Sequence, residues 1–324
     1  MIKKYCISIK TRTALMLAVC AFCAAVFIAA ALYAPCAAVE ANNGDSKAAP
    51  QSGENKIGFE TSPVTIVSTS PAITEILFYI GAGDKVKGVT TLCNYPDKAR
   101  EIEKIGDLNI NYEKLIELKP DAVFTMKGLR ANETEILNSF GIKSMELDLS
   151  SIDSILNSID AAAAVLKTDK NASQLRRQLK NLSSLINKKQ KNIMRSVYFE
   201  IWGDPPMSIG GASFINEIIA RAHGINIFSD VNIENLSVSL EKVIESNPEV
   251  IIAAYDVKTS EIALRPDFSN LIAVKDANII KVEYNIYVRP SPRILDAILD
   301  LYNKLFPDNL IDYKDISTEN QQIR

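Results

Sequence analysis

Tyr112-Glu113-Lys114-Leu115-Ile116-Glu117-Leu118-Lys119-Pro120-Asp121-Ala122-Val123-Phe124 recurs without a gap as Leu240-Glu241-Lys242-Val243-Ile244-Glu245-Ser246-Asn247-Pro248-Glu249-Val250-Ile251-Ile252. Glu, Lys, Ile, Glu and Pro are identical between the copies, and most other pairs exchange like for like. Each copy reads as a short helix opening on Glu-Lys, a proline joint, and a strand apolar enough to be buried on both faces. Helix–proline–strand joints are common in α/β chains. A thirteen-residue match in two separate halves nevertheless implies two lobes of similar build.

The flanking sequence supports α/β lobes with largely parallel sheets. Ahead of the first copy, strands are predicted at 64–67 and 86–89, with a helix through Ile73, Ile76, Leu77 and Ile80. After it come a helix over 131–140 and a strand at 144–147. Around the second copy, Val197, Phe199 and Ile201 alternate as a strand, and a helix follows Gly210-Gly211 through Ile219. A strand at 279–282 and a helix over 292–305 complete the second lobe. Between the halves, Ala172, Leu175, Leu179, Leu182 and Ile186 repeat at a 3-4-3-4 spacing with no Gly or Pro. That spacing predicts one long amphipathic helix over 169–193, placed to link a lobe over 63–168 to a lobe over 194–324.

The chain has 324 residues, 36 basic and 39 acidic, and a formal charge of −3. Lys3, Lys4, Lys10 and Arg12 are the only charged residues of the first 36, which leaves 32 basic residues against 39 acidic beyond them. A mildly acidic body is the wrong sign for a nucleic-acid binder. The apolar run from Thr13 to Ala34 follows those basic residues and precedes the small residues Ala37 and Ala38. Residues 1–38 thus read as an export signal peptide or an N-terminal membrane anchor. Lipidation at Cys36 is a third fate, although Tyr33-Ala34-Pro35-Cys36 is a poor lipid-attachment motif. All three place the body in the periplasm or at the outer face of the cytoplasmic membrane. Residues 39–62 have no apolar period and read as a tether, with a reach of roughly 27 Å as a flexible coil.

Ser70-Pro71-Ala72-Ile73-Thr74-Glu75, Asn94-Tyr95-Pro96, Leu118-Lys119-Pro120-Asp121, Asp204-Pro205-Pro206, Gly224-Ile225-Asn226-Ile227-Phe228 and Ser291-Pro292-Arg293-Ile294 occur in an order that resembles the class III solute-binding proteins of ABC importers. These deliver cobalamin, ferric siderophores or haem, and the chain is most similar to the cobalamin-binding members over roughly residues 63–307. The resemblance implies two Rossmann-like lobes joined by one long α-helix, with ligand in the cleft between them. A helical strut implies limited closure. The implied partners are an ABC permease dimer with its ATPase, and the implied ligand is a corrinoid. No intrinsic cofactor, metal or nucleic acid is expected, and the protein is expected to act as a monomer.

By the same resemblance, Glu113 and Glu241 match glutamates that dock each lobe onto the permease. Three positions where the cobalamin binder carries aromatic rings fall on Leu92, Met126 and Asn235. Tyr95, Trp202, Tyr287 and Arg289 are further ligand candidates, with Tyr255 and Tyr284 nearby. Arg289 could pair with a ligand carboxylate or phosphate, whereas Arg293 suits a structural salt bridge. Plainer roles compete: Tyr95 could fix its loop, and Trp202 could pack in the core. Cys93, with no cation adjoining it, fits a small buried hydrophobe, and His223 a helix C-terminal dipole partner. Asp121 and Glu249 read as solvated turns. Gly210-Gly211 could bring backbone amides to an anion, although no Lys-Ser or Lys-Thr follows. No Gly-x-Ser-x-Gly, His-Glu-x-x-His or Cys-x-x-Cys marks an enzyme in the body. A tethered sensor without a transporter is the alternative from another class.

Overall fold

A computed structural model of the chain describes residues 62–190 and 193–318. The predicted leader and all of the predicted tether before Ser62 lie outside them. The first lobe is a five-stranded sheet of order β3-β2-β1-β4-β5, formed by β1 (Ile66–Ser68), β2 (Val86–Val89), β3 (Glu103–Lys104), β4 (Ala122–Met126) and β5 (Ser144–Leu147). Every pairing in it is parallel. α1 (Pro71–Tyr79) follows β1, with Pro71 at its start and the Ser70 hydroxyl accepting from the Ile73 amide. α2 (Tyr112–Glu117) and α3 (Glu133–Ser139) make the crossovers into β4 and β5, and a 3-10 turn at Asp97–Glu101 links β2 to β3. α4 (Ile152–Leu166), absent from the sequence reading, leaves β5 with Ser151 as N-cap and buries Ile152, Ile155, Ile159 and Leu166.

The second sheet has the order β11-β10-β6-β7-β9, with β8 also paired to β6. Its strands are β6 (Arg195–Gly203), β7 (Pro206–Ile209), β8 (Gly224–Asn226), β9 (Asn235–Ser237), β10 (Val250–Ala253) and β11 (Ile279–Lys281). β6, β8, β10 and β11 are parallel, whereas β7 and β9 run antiparallel to their neighbours. α6 (Phe214–Arg221), α7 (Leu240–Ser246), α8 (Thr259–Ala263), α9 (Ile272–Lys275), α10 (Tyr284–Tyr287), α11 (Ile294–Leu305) and α12 (Tyr313–Thr318) complete the lobe.

The thirteen-residue repeat is structural as well as sequential. β4 pairs in parallel with β1, and β10 with β6. The residue before each proline, Lys119 or Asn247, has a left-handed backbone, at φ 46° and 43°. The acid after each proline then anchors the entry to its lobe's first strand. Asp121 Oδ2 accepts from the Val64 and Thr65 amides at 2.8 Å, and Glu249 Oε2 accepts from the Ser196 amide at 2.8 Å. These two acids, Asp121 exposed and Glu249 half-buried, stand at the turns expected from sequence and also anchor strands. The two amides hold the Asp121 carboxyl below its usual range.

α5 (Ser173–Lys189) connects the lobes and buries Leu175, Leu179, Leu182 and Ile186, the stripe read from the spacing. It begins four residues later than predicted, because Lys167 takes a left-handed conformation that ends α4 and Asn171 accepts from the Ser173 amide. Its seventeen residues span about 25 Å. At its start, the Ala172 amide and Arg176 bond to Asp160 of α4, both at 2.9 Å. At its end, Asn187 meets His223 Nε2 at 2.9 Å, and Lys189 donates to the Leu310 carbonyl at 2.7 Å. One hydrophobic core runs through both lobes along this helix, joining Ile66, Ile73, Leu77 and Ile159 to Val197, Ile218, Leu301 and Ile316. Smaller clusters line the other faces, around Leu115 in the first lobe and Phe268 in the second.

Candidate functional site

The strands of both sheets end at a shared cleft, where ligand sites of open parallel sheets form. Its main cavity, about 570 Å³, takes one wall from each lobe. The first lobe contributes Met126, Lys127, Gly128 and Leu129 beyond β4, and Leu149 and Ser150 beyond β5. The second contributes Ile201 and Trp202 of β6, Met207 of β7, the start of α6, Asn235 of β9, and Tyr284, Val288 and Pro290. A second space of about 540 Å³ adjoins through Ile201, Trp202 and Tyr284, and is bounded by Tyr255, Asp256, Lys281 and Glu283. Each volume falls within the usual range for small-molecule sites.

The walls combine apolar and aromatic side chains with charged ones, Lys127 and Glu234 in the main cavity and Asp256, Lys281 and Glu283 in the second, and both lysines are paired. Lys127 reaches Asp148 at 3.1 Å, and Lys281 reaches Asp256 at 2.6 Å. The hydrogen bond to Asp148 raises the Lys127 pKa. The Ser150 hydroxyl and amide, with Lys127, hold the Asp148 carboxyl low. Ser150, Ser213 and Asn235 supply neutral hydrogen-bonding groups. Among the described residues, no set of three His, Cys, Asp or Glu is placed to hold a metal ion. The arrangement offers a small molecule apolar, aromatic and hydrogen-bonding contacts.

Three of the seven ligand candidates, Met126, Trp202 and Asn235, line the main cavity. Trp202 is 53% exposed, its indole nitrogen donates to the Asp204 carbonyl at 2.8 Å, and its ring lies 6.2 Å from that of Tyr255. Leu92 and Tyr95 are exposed but belong to a loop outside the two lined volumes. Tyr287 is corrected to a core residue. It is fully buried against Phe199, and its hydroxyl donates to Asp300 at 2.6 Å. One turn of α10 separates it from Tyr284, which faces the cavity.

Arg289 is also corrected, because its guanidinium is committed across the lobe boundary. Glu75 of α1, 3% exposed, accepts from Arg289 Nη1 at 3.1 Å, Arg293 Nε at 2.8 Å, Arg293 Nη2 at 2.5 Å and the Ser291 hydroxyl at 2.6 Å. Arg289 also donates to Asn94 Oδ1 at 2.8 Å and to the Leu92 carbonyl at 3.3 Å, while Arg293 lies 4.4 Å over the Tyr95 ring. This clasp ties the 92–96 loop and α1 to the start of α11. A further bond crosses the lobes from the Ile152 amide to Glu217 at 3.4 Å.

Gly210-Gly211 is not an anion site. The two amides already donate to the Glu234 and Val231 carbonyls. A Cβ at either glycine would stand 2.2–2.5 Å from carbonyls of the 229–233 segment, so backbone packing explains the pair. Cys93 is buried beside the Thr74 and Thr90 hydroxyls. Glu113 and Glu241 are both exposed and occupy the second position of α2 and α7. The Ser239 hydroxyl donates to Glu241 and lowers its pKa. Asn111 instead caps α2 through the Lys114 amide at 3.1 Å.

Two α/β lobes, one with a parallel and one with a mixed sheet, that meet at a cleft, share one core and are linked by a single long helix define a two-lobed solute-binding protein of class III architecture. A family model described as periplasmic binding protein matches residues 66–284, and the chain belongs to that family. It is 30% identical over 304 residues to the uncharacterized ABC transporter substrate-binding lipoprotein YvrC of Bacillus subtilis, covering 88% of this chain and 96% of that one. Over 246 residues it is 26% identical to the vitamin B12-binding protein of Vibrio vulnificus, covering 75% and 90%. Among solved structures, a possible iron-binding (periplasmic solute-binding) protein from Staphylococcus epidermidis superposes with a TM-score of 0.66 at 28% identity, covering 76% and 100%.

Proposed function

We propose that this protein captures a corrinoid of the cobalamin type in the interlobe cleft and hands it to the permease dimer of an ABC importer, outside the cytoplasmic membrane. The observation that carries the reading is the cleft itself: a cavity of about 570 Å³ walled from both lobes, and beside it a space of about 540 Å³ in the second lobe, with Met126, Leu129, Leu149, Ile201, Trp202 and Tyr284 among their lining side chains. The resemblance to vitamin B12-binding proteins along most of their length supports the ligand class. Glu113 and Glu241, exposed at matching places in the two lobes, are proposed to meet basic pockets on the two permease subunits. Arginine is the expected partner, because its fork meets a carboxylate bidentately.

A ferric siderophore or haem is the second reading. It is favoured by the absence of aromatic rings at Met126 and Asn235 on the cavity wall, and by the likeness to the possible iron-binding protein. Calorimetry of the body against cobalamin, cobinamide, haemin and a ferric siderophore separates the readings. Tight corrinoid binding without chemical change of the ligand is expected. Siderophore binding alone would replace the ligand and keep the class, and turnover of any substrate would overturn the class.

A further inference from the structure

Glu200 points from the middle of β6 into the lobe and is fully buried, where an unpaired carboxylate would be strongly disfavoured. Arg265 meets it with two nitrogens, each at 2.6 Å, the bidentate arrangement that fixes both planes. The Tyr255 hydroxyl donates to the same carboxylate and accepts from Arg265 Nη2 at 3.0 Å. Anchored at its hydroxyl, the Tyr255 ring stands behind Trp202 at 6.2 Å and 40°. Gly203 leaves the space this needs, since a Cβ there would lie 2.4 Å from the Tyr255 hydroxyl oxygen. Trp202 lines both cavities and is tethered a second time through its indole nitrogen.

We infer that the buried Glu200–Arg265 pair is a positioning device: through Tyr255 it holds Trp202 as a preformed stacking face for the ligand's ring system. The opposite wall, at Met126, Leu129 and Leu149, offers aliphatic contact only. Ring stacking therefore comes from the second lobe, with Tyr284 beside Trp202. A face held in place before binding spares the ligand the cost of ordering it. The ligand chemistry rests on the function proposed above, whereas the positioning does not.

Trp202 is the single tryptophan of the chain, so fluorescence excited selectively at tryptophan, without its 11 tyrosines, reports on this position alone. The test compares the wild type with Arg265→Gln and Tyr255→Phe, the latter keeping the ring and losing only its anchor. Acrylamide quenching and emission anisotropy are read without ligand, and affinity is then read with cyanocobalamin and haemin. Both variants are expected to make Trp202 more quenchable and less anisotropic. Both should also weaken binding of whichever macrocycle the wild type takes, roughly 2- to 12-fold. Tyr255→Phe is expected to retain its melting temperature within a few degrees. Unchanged Trp202 quenching and anisotropy in both variants would overturn the inference and leave the pair with a purely structural role. If the wild type binds neither macrocycle, the proposed ligand class fails, and the ligand-free quenching comparison still decides the positioning.

Discussion

Glu75→Ala is expected to destabilise this molecule strongly. The carboxylate is 3% exposed, and the two guanidiniums it neutralises have side chains only 11% and 14% exposed. Removing it leaves two like charges facing each other without an anion, and also strands the Ser291 hydroxyl. Breaking a buried ion pair by deleting one partner costs about 3–5 kcal/mol. For a folded body of this size, each kcal/mol moves the melting temperature by roughly 2–4 °C, so a fall of about 6–20 °C is expected. Glu75→Gln keeps the volume and some acceptor capacity, and should cost about 1.5–3 kcal/mol, the range of hydrogen bonds to charged groups. Urea denaturation of wild type, Gln and Ala variants measures the series, with small-angle scattering in parallel. Because the shared core still joins the lobes, the radius of gyration should change little even as stability falls. A loss below ~1 kcal/mol for the Ala variant would refute the clasp as a major tie between the lobes.

Arg at both Glu113 and Glu241 should abolish transporter-dependent uptake while leaving ligand affinity intact; a collapse of ligand binding, or normal uptake, would remove the docking assignment. Tyr287→Phe should destabilise by about 0.5–1.5 kcal/mol through the lost bond to Asp300 and leave binding isotherms unchanged. A ligand role for Tyr287 would show as a weakened isotherm. Burial raises the Glu133 pKa, partly offset by Arg130 at 3.3 Å. The folded state thus holds this proton more tightly than the unfolded chain, and the contribution to stability declines as pH rises from the ordinary glutamate range into the raised one. Glu133→Gln should flatten that part of a melting temperature–pH profile. Asp121 has the opposite sign, its lowered pKa giving stability that is lost as pH falls through the folded value. The difference between wild type and Asp121→Asn should accordingly shrink in acid.

The two-lobe plan was legible because periodicity and turn chemistry are local. The Lys119 and Asn247 joints, the stripe of α5 and the runs of β4 and β10 follow from neighbours a few residues away. α4 is equally legible in Ile152, Ile155, Ile159, Ala162 and Leu166 behind the Ser151 cap. β7, β8 and β9 are three or four residues long and give no alternation to read. The site was harder for a different reason. Glu75 and Arg289 are 214 residues apart, so Arg289 looks free for a ligand until the lobes are brought together. Tyr284 and Tyr287 stand one turn apart on the same short helix, and only the packing around Phe199 and Asp300 buries the second. Asp121 and Glu249 read as turn acids alone until the first strand of each lobe is laid beside them.

The core common to both lobes also bears on how the chain reaches its native state. Ile66, Ile73 and Leu77, near the start of the described residues, pack in the same cluster as Ile294, Leu301, Tyr302, Leu305 and Ile316, near their end. During synthesis the first sheet is complete well before those last helices exist, yet one flank of its core remains uncovered. A fragment ending before residue 294 should therefore populate a loosely packed, aggregation-prone state, not a native half-molecule. Only when the final helices become available can the whole body fold as one cooperative unit.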